Sequence, residues 1–323
     1  EIYTLSLHDA LPISMPGIAE MDINAFGNAV KSRYRDLPLF MLLHNTCDID
    51  DYMCEIPSTA VDRTYIWGGN ADLLLAIIKN FEDEKNVAAD TRKASVRVII
   101  LVEDSPYHYS SFLPVLYKQI VLQTQSIIED ASNEDQRLLK MRGRPKILLA
   151  RDYEAAIDLF QTYRPYVLSV FSDMRFPRNG TVDDMAGYTL LKTIKTDIPD
   201  LPVLTLSTEE HNREKAKKIP SIFINKHSNN LKDQIKTFFV SYLGFGAFVF
   251  RHPSGEEIAR VSDLLSMELL LDEIPDDSIV HHAMNNDFSK WFMARGEIEF
   301  ALKIKPCNVG DFPDPHALKQ FLI

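Results

Sequence analysis

The sequence predicts an α/β fold: a doubly wound, five-stranded parallel sheet, followed by a small α+β module. The first observation is that apolar runs alternate with amphipathic segments between residues 96 and 241, a pattern typical of parallel sheets with helices on both faces. The second is that these runs are rich in β-branched residues and lack polar alternation, as strands buried on both faces do. The third is that acidic and polar residues follow several runs directly, at the edge where such sheets bind ligands.

The elements of this segment are predicted from the apolar runs and from apolar residues at helical spacing. The predicted strands are 96–102 (VRVIILV), 146–150 (KILLA), 166–171 (YVLSVF), 202–206 and 222–225. The predicted helices are 110–131, 153–163, 187–196 and 230–243.

Composition limits the classes of partner. The chain has 323 residues and a formal net charge of −11, and nucleic acids and anionic membranes attract basic surfaces, so neither is expected as a partner. The cysteines Cys47, Cys54 and Cys307 suggest no disulfide framework. No apolar run reaches the roughly 18 residues that a membrane-spanning helix needs. We therefore expect a cytoplasmic protein.

The amino-terminal region is predicted to contain an artefact and half of a repeat. Residues 1–14 resemble the conceptual translation of a sequencing adapter, so the native sequence is expected to begin at or near Met15. After them, LPLFMLL at 37–43 parallels LPVLTLS at 201–207, and RTYIWGG parallels SIFINKH. These matches indicate a repeat whose first copy lacks its opening strands. The elements predicted for it are a helix at 23–34, strands at 37–43 and 63–67, a helix at 70–84, and a charged linker at 83–95.

Acidic residues mark the ends of two predicted strands. Glu103 and Asp104 follow the first strand, and Asp173 follows the third. Because parallel strands end at the same edge, these carboxylates are expected to meet, and their repulsion favours a hard divalent cation such as Mg²⁺. Ser207 and Lys226 follow the fourth and fifth strands. A hydroxyl and an ammonium group beside a metal-held carboxylate suit phosphoryl transfer to an aspartate.

Residues 96–241 resemble a response-regulator receiver domain, which has a flavodoxin-like sheet. The resemblance lies in VEDS at 102–105, SDMRFPRNG at 172–180, LPVLTLS at 201–207 and FINK at 223–226. It implies a phosphorelay (two-component) signalling role, with the following site residues: Asp173 as phospho-acceptor; Glu103, Asp104, Asp173 and the backbone carbonyl of Arg175 as Mg²⁺ ligands; Ser207 and Phe223 as switch residues; and Lys226 as the phosphate-contacting lysine.

Two features depart from this family pattern. His227 replaces the usual proline after the lysine, and the stretch between the first two strands is about twice the usual length. That stretch contains the basic run KMRGRPK at 140–146, which is interpreted as a solvated loop or as a phosphate- or partner-binding segment.

Residues 15–90 resemble a truncated, chemically silent receiver. In it, Met15-Pro16-Gly17 follows a missing aspartate, and Leu43 and Gly68 replace the hydroxyl and the lysine.

Residues 242–323 are predicted to form a hairpin and helices, with Ser262 capping a helix at 262–274, a break at Pro275–Asp277 and a second helix at 287–303. The tandem layout resembles the amino-terminal region of phosphoenolpyruvate synthase-like proteins. This implies a regulatory fragment that leads to a missing downstream catalytic domain. Neither a glycine-rich nucleotide loop nor a phospho-histidine segment is recognisable in the sequence, so whether the chain is an enzyme stays open.

The sequence leaves several alternatives open. The partner is expected to be a histidine kinase or a small phosphodonor, or else the chain is an interaction scaffold that works without phosphorylation. His281 and His282 could suggest a metal site, but adjacent histidines on a helix point apart, which favours structural or interface roles. His44 and Cys47 could form a nucleophile pair, but no third group that would orient them is apparent.

Overall fold

The computed structural model describes residues 13–14, 23–35, 37–44, 61–129, 144–305 and 307–322. The chain divides into two compact units, a smaller one with the first three strands and a larger one with the five-stranded sheet. Across the residues that the structure describes, no helix is both long enough and apolar enough to cross a membrane.

The elements up to residue 129 are β1 (Ile13–Ser14), α1 (Ile23–Arg33), β2 (Phe40–Leu43), β3 (Arg63–Ile66), α2 (Asp72–Ala94), β4 (Val98–Val102) and α3 (Pro106–Glu129). Those from residue 144 to the start of the last sheet strand are β5 (Lys146–Ala150), α4 (Tyr153–Tyr163), β6 (Val167–Asp173), β7 (Phe176–Arg178), β8 (Thr181–Asp183), α5 (Ala186–Asp197), β9 (Val203–Ser207) and α6 (Asn212–Lys217). The remaining ones are β10 (Ile222–Asn225), α7 (Leu231–Tyr242), β11 (Phe248–Arg251), β12 (Glu257–Val261), α8 (Leu264–Leu271), α9 (Asp276–Met284), α10 (Asp287–Ala294), α11 (Ile298–Ile304) and α12 (Pro315–Leu322).

The smaller unit contains a parallel three-stranded sheet in the order β1-β2-β3. β2 is fully buried, and its neighbour β1 pairs Ile13 with Phe40. Two residues of the stretch interpreted as an artefact therefore pair with this sheet. The motif Met15-Pro16-Gly17 and residues Cys47 and Cys54 lie outside the described residues.

The larger unit contains five parallel strands in the order β10-β9-β6-β4-β5, which confirms the predicted fold class. Every residue of β4, β5 and β9 is buried, as their uninterrupted apolar runs predict. Helices α4 and α5 pack their apolar faces onto the sheet, with Ala156 and Phe160 from α4 and Leu190 and Ile194 from α5 in one core. The strand order brings the ends of β4, β6, β9 and β10 to one edge.

The charged linker predicted at 83–95 is wrong, because α2 continues to Ala94. Its second half has a buried face, formed by Asp83, Val87 and Thr91 at intervals of four residues. This face carries only one aliphatic residue, so the sequence shows no apolar repeat at helical spacing in this charged stretch.

The buried carboxylate of Asp83 ties α2 to the start of β5. It lies 2.7 Å from Nη2 of Arg144 and 3.5 Å from Nζ of Lys146, and it accepts the backbone N–H of Ile147 at 2.9 Å. Lys146 also pairs with Asp90 at 2.8 Å. Arg144 and Lys146, in the last part of the basic run KMRGRPK, therefore balance the buried charge of Asp83. Residues 140–143 of the run lie outside the described residues.

Two elements beside the carboxyl edge were not predicted. The hairpin β7–β8 turns at Asn179 and Gly180, which have φ values of 52° and 75°. Positive φ at both central residues is what a tight two-residue hairpin needs, and the Asn-Gly pair is its strongest sequence signal. The short helix α6 lies between β9 and β10, and its polar sequence gives no apolar period.

The carboxyl-terminal module begins with the predicted hairpin, β11–β12. Helix α8 is capped by Asp263 rather than by the predicted Ser262, since the Asp263 side chain accepts the N–H of Ser266. The helix predicted at 287–303 is two helices, α10 and α11. They are separated at Gly296, whose φ of 82° is left-handed and ends the first of them.

His282 is part of the core of this module. Its Nε2 accepts the backbone N–H of Arg251 at 2.9 Å, so the ring proton lies on Nδ1, which faces Asp287 Oδ2 at 2.9 Å. Both ring nitrogens thus have protein partners, as the structural interpretation of His282 expects.

Candidate functional site

The register of the sheet brings the acidic residues together. Val102, the last residue of β4, pairs with Ser172 of β6. Glu103 and Asp104 follow Val102 directly, and Asp173 follows Ser172. One carboxylate oxygen from each of the three acidic residues lies within 4.8 Å of the other two.

This cluster carries an electrostatic cost. Glu103 is fully buried, and Asp104 and Asp173 are partly exposed. Carboxylates at this separation repel, and removing a charge from water is unfavourable unless it is paired. The cluster therefore needs positive charge close by.

Lys226 supplies one positive charge. Its Nζ lies 2.8 Å from Oδ2 of Asp173, and its side chain is only 2% exposed. Its backbone N–H donates to the carbonyl of Ser207 at 2.9 Å, which fixes the lysine at the end of β10. The second oxygen of Asp173, Oδ1, accepts the N–H of Met174 at 2.6 Å, so the carboxylate is held at both oxygens.

Ser207 lies on the same edge. Leu206 pairs with Asp173, and Ser207 pairs with Asn225, the residue before Lys226. Its hydroxyl oxygen is buried and accepts two hydrogen bonds, from the N–H of Glu209 at 3.1 Å and from Nδ2 of Asn212 at 3.0 Å.

The other two residues named from the sequence lie at the margin of the site. Phe223 is half-buried, and the guanidinium carbon of Arg213 lies 4.6 Å from its ring centre. The side chain of Arg175 is exposed and pairs with Asp184 at 3.2 Å. A role for the Arg175 carbonyl as a metal ligand stays a prediction.

Gly187 packs against the backbone at the end of β6. A Cβ at this position would lie 1.9 Å from the carbonyl oxygen of Asp173 and 2.8 Å from Cα of Met174. The Gly187 N–H donates to the carbonyl of Met174 at 3.1 Å. The absence of a side chain therefore lets α5 begin directly behind Asp173, which a single sequence does not reveal.

Gly187→Ala is expected to destabilise the protein by about 1–3 kcal/mol, because the added methyl group forces α5 away from the backbone of Asp173 and Met174. Urea unfolding measures the loss. Gly310→Ala is the matched control, since its Cβ would have nothing within 4 Å. Equal stability of the two variants would contradict the close packing at Gly187.

The alternative nucleophile pair gains no support. His44 is exposed just after β2, and Cys47 lies outside the described residues. Sequence reasoning missed Gly187 and Asn212, although both contact residues that it named.

About 46% of the chain is structurally similar to response-regulator receiver domains. The Mn²⁺-bound response regulator Rcp1 is 20% identical with a TM-score of 0.28, and the match covers 46% of this chain and 94% of that one. CheY in its CheX–BeF3–Mg complex from Borrelia burgdorferi is 20% identical with a TM-score of 0.30, and coverage is 45% and 88%. The phosphorylated cyanobacterial phytochrome response regulator RcpA is 18% identical with a TM-score of 0.29, and coverage is 46% and 94%.

No family model and no curated protein matches the sequence. The suggested relation to phosphoenolpyruvate synthase-like proteins gains no support from these comparisons and stays a prediction.

Proposed function

We propose that this chain is a phosphorelay receiver and regulatory module, in which Asp173 accepts a phosphoryl group from a histidine kinase or a small phosphodonor. The observation that carries the proposal is the convergence of three carboxylates and one buried ammonium group at the carboxyl edge of the parallel sheet. Such edges are where doubly wound sheets bind ligands.

The residues present fit a divalent cation. Glu103, Asp104 and Asp173 offer hard oxygen ligands within 4.8 Å of one another, which suit Mg²⁺. Among these four groups, three negative charges face the single positive charge of Lys226, so a divalent ion would balance them. The ion, when bound, offsets negative charge on the phosphoryl oxygens.

The acceptor chemistry belongs to Asp173. One oxygen of its carboxylate attacks the phosphorus of the donor, the bond from phosphorus to the donor breaks, and an acyl phosphate forms while the donor leaves with the bonding electrons. Lys226 holds the carboxylate before the attack and pairs with the phosphoryl oxygens afterwards. Electrostatic stabilisation of this kind is the main contribution of proteins to phosphoryl transfer.

The output is proposed to be a shift between two arrangements of Ser207 and Phe223. A hydrogen bond from the Ser207 hydroxyl to a phosphoryl oxygen would favour one arrangement only, as a population shift requires. The carboxyl-terminal module is positioned to respond, because Asn286 Nδ2 donates to Asp200 in the loop before β9 at 3.1 Å. A downstream catalytic domain is a further proposed recipient of the shift.

The test is intact-protein mass spectrometry after incubation with acetyl phosphate and Mg²⁺. We expect the wild-type chain to gain one phosphoryl group and Asp173→Asn to gain none. Asp184→Asn is the matched control, because this exposed carboxylate pairs with Arg175 near the site. A gain that survives Asp173→Asn would contradict the acceptor assignment. No gain in the wild type would favour a phosphorylation-independent scaffold.

A further inference from the structure

Helix α6 contacts both residues that are proposed to move, Ser207 and Phe223. Asn212 donates from Nδ2 to the hydroxyl oxygen of Ser207 at 3.0 Å, and Arg213 lies over the ring of Phe223 with its guanidinium carbon 4.6 Å from the ring centre. Two consecutive residues at the start of one short helix therefore contact both proposed switch residues.

The orientation of the Asn212 side chain follows from its contacts. Nδ2 also donates to Oε2 of Glu209 at 3.2 Å, and an amide oxygen in that place would face the carboxylate unfavourably. Asn212 is only 4% exposed, so these hydrogen bonds are shielded from water. Together with the N–H of Glu209, Nδ2 occupies both acceptor positions of the Ser207 hydroxyl.

The same loop is tied to the end of β10. Glu210 accepts hydrogen bonds from Nε of Arg213 and from Nδ2 of Asn225, the latter at 3.1 Å. Asn225 directly precedes Lys226, so the loop after β9 is connected to the residue before the proposed phosphate-contacting lysine.

One atom of Asn212 lacks a hydrogen-bond partner in this arrangement. Oδ1 of Asn212 is buried without a hydrogen-bond partner among the described residues. A buried acceptor without a partner raises the free energy of the state that contains it. The arrangement therefore carries a cost that a movement of Asn212 would relieve.

We propose that Asn212 is a positioning residue, which holds the hydroxyl of Ser207 in the unphosphorylated arrangement. This inference rests on the proposed function and extends it to regulation. In this proposal a phosphoryl group on Asp173 attracts the Ser207 hydroxyl away from its contact with Asn212. Removing the amide therefore favours the phosphorylated arrangement.

The first experiment measures Mg²⁺-dependent binding of beryllofluoride, a stable phosphoryl mimic, by calorimetry. Asn212→Ala is expected to lower Kd about fivefold, because one net hydrogen bond no longer opposes the shift. In a Ser207→Ala background the same substitution is expected to leave Kd unchanged, since the hydroxyl that accepts the hydrogen bond from Asn212 is already absent. Asn285→Ala, an exposed asparagine in the carboxyl-terminal module, is the matched control.

An unchanged or higher Kd for Asn212→Ala would overturn the inference, and so would an equal effect in the Ser207→Ala background. Asn212→Leu, which keeps a similar size and removes the donor, replaces the alanine variant if that variant does not fold.

The second experiment needs no phosphoryl mimic and separates the two proposals. In urea unfolding of Asn212→Ala, Ser207→Ala and the double variant, we expect a coupling of about fivefold in the unfolding constant. If the effects of the two substitutions on unfolding are additive, Asn212 does not position Ser207. This result would hold whether or not Asp173 is phosphorylated. If the unsubstituted protein binds no beryllofluoride, the proposed function and the switching role fail together, while a coupled cycle still assigns Asn212 to positioning Ser207.

Discussion

Lys226→Met is expected to lower the rate of phosphorylation of Asp173 by about 100-fold or more, the usual effect of removing one group that stabilises developing charge in the transition state. The Lys226 side chain is only 2% exposed, and its Nζ lies 2.8 Å from Oδ2 of Asp173, so methionine fills the same space without the charge. The rate is measured by intact mass against time with acetyl phosphate and Mg²⁺.

Stability gives a second consequence of the same substitution. Without the ammonium group, the three carboxylates lose a counter-charge, so added Mg²⁺ should raise the melting temperature more in Lys226→Met than in the wild type. Lys232→Met is the control, because this lysine is exposed on α7. Equal phosphorylation rates for Lys226→Met and Lys232→Met would remove Lys226 from the mechanism.

Asp83→Ala is expected to lower the free energy of unfolding by about 3 kcal/mol, because it leaves Arg144 and Lys146 without their shared buried partner. The Asp83 side chain is fully buried, whereas the side chain of Asp90, the second partner of Lys146, is 38% exposed. Asp90→Ala should therefore cost less, about 1 kcal/mol, because Lys146 keeps its buried partner Asp83.

Urea unfolding of both variants measures the difference. Asp83→Asn should give an intermediate loss, since it keeps an oxygen that can accept the N–H of Ile147 but removes the charge. Similar losses for Asp83→Ala and Asp90→Ala would show that the ion pairs of Asp83 do not hold α2 to β5.

The parallel sheet could be predicted because its strands are buried on both faces and have uninterrupted apolar runs. The predicted strand 222–225 matches β10 residue for residue. The same pattern predicted that Glu103, Asp104 and Asp173 lie close together, because the carboxyl ends of parallel strands share one edge.

The remaining features depend on contacts that composition does not record. The second half of α2 buries a carboxylate, so its charged sequence suggested a linker. Helix α6 is short and polar, and Asn212 matters only because the fold places it beside Ser207. Gly187 has no distinctive sequence context, and its role appears only from the 1.9 Å distance that a Cβ would have to the Asp173 carbonyl.

The most direct test of the central claim locates the phosphoryl group. The chain is incubated with acetyl phosphate, with Mg²⁺ or with a chelator, and then reduced with borohydride, which converts an aspartyl phosphate to homoserine. Peptide mass spectrometry is expected to find homoserine at position 173 only in the sample with Mg²⁺. Homoserine at another aspartate, or an equal yield with the chelator, would contradict a metal-dependent acceptor at Asp173.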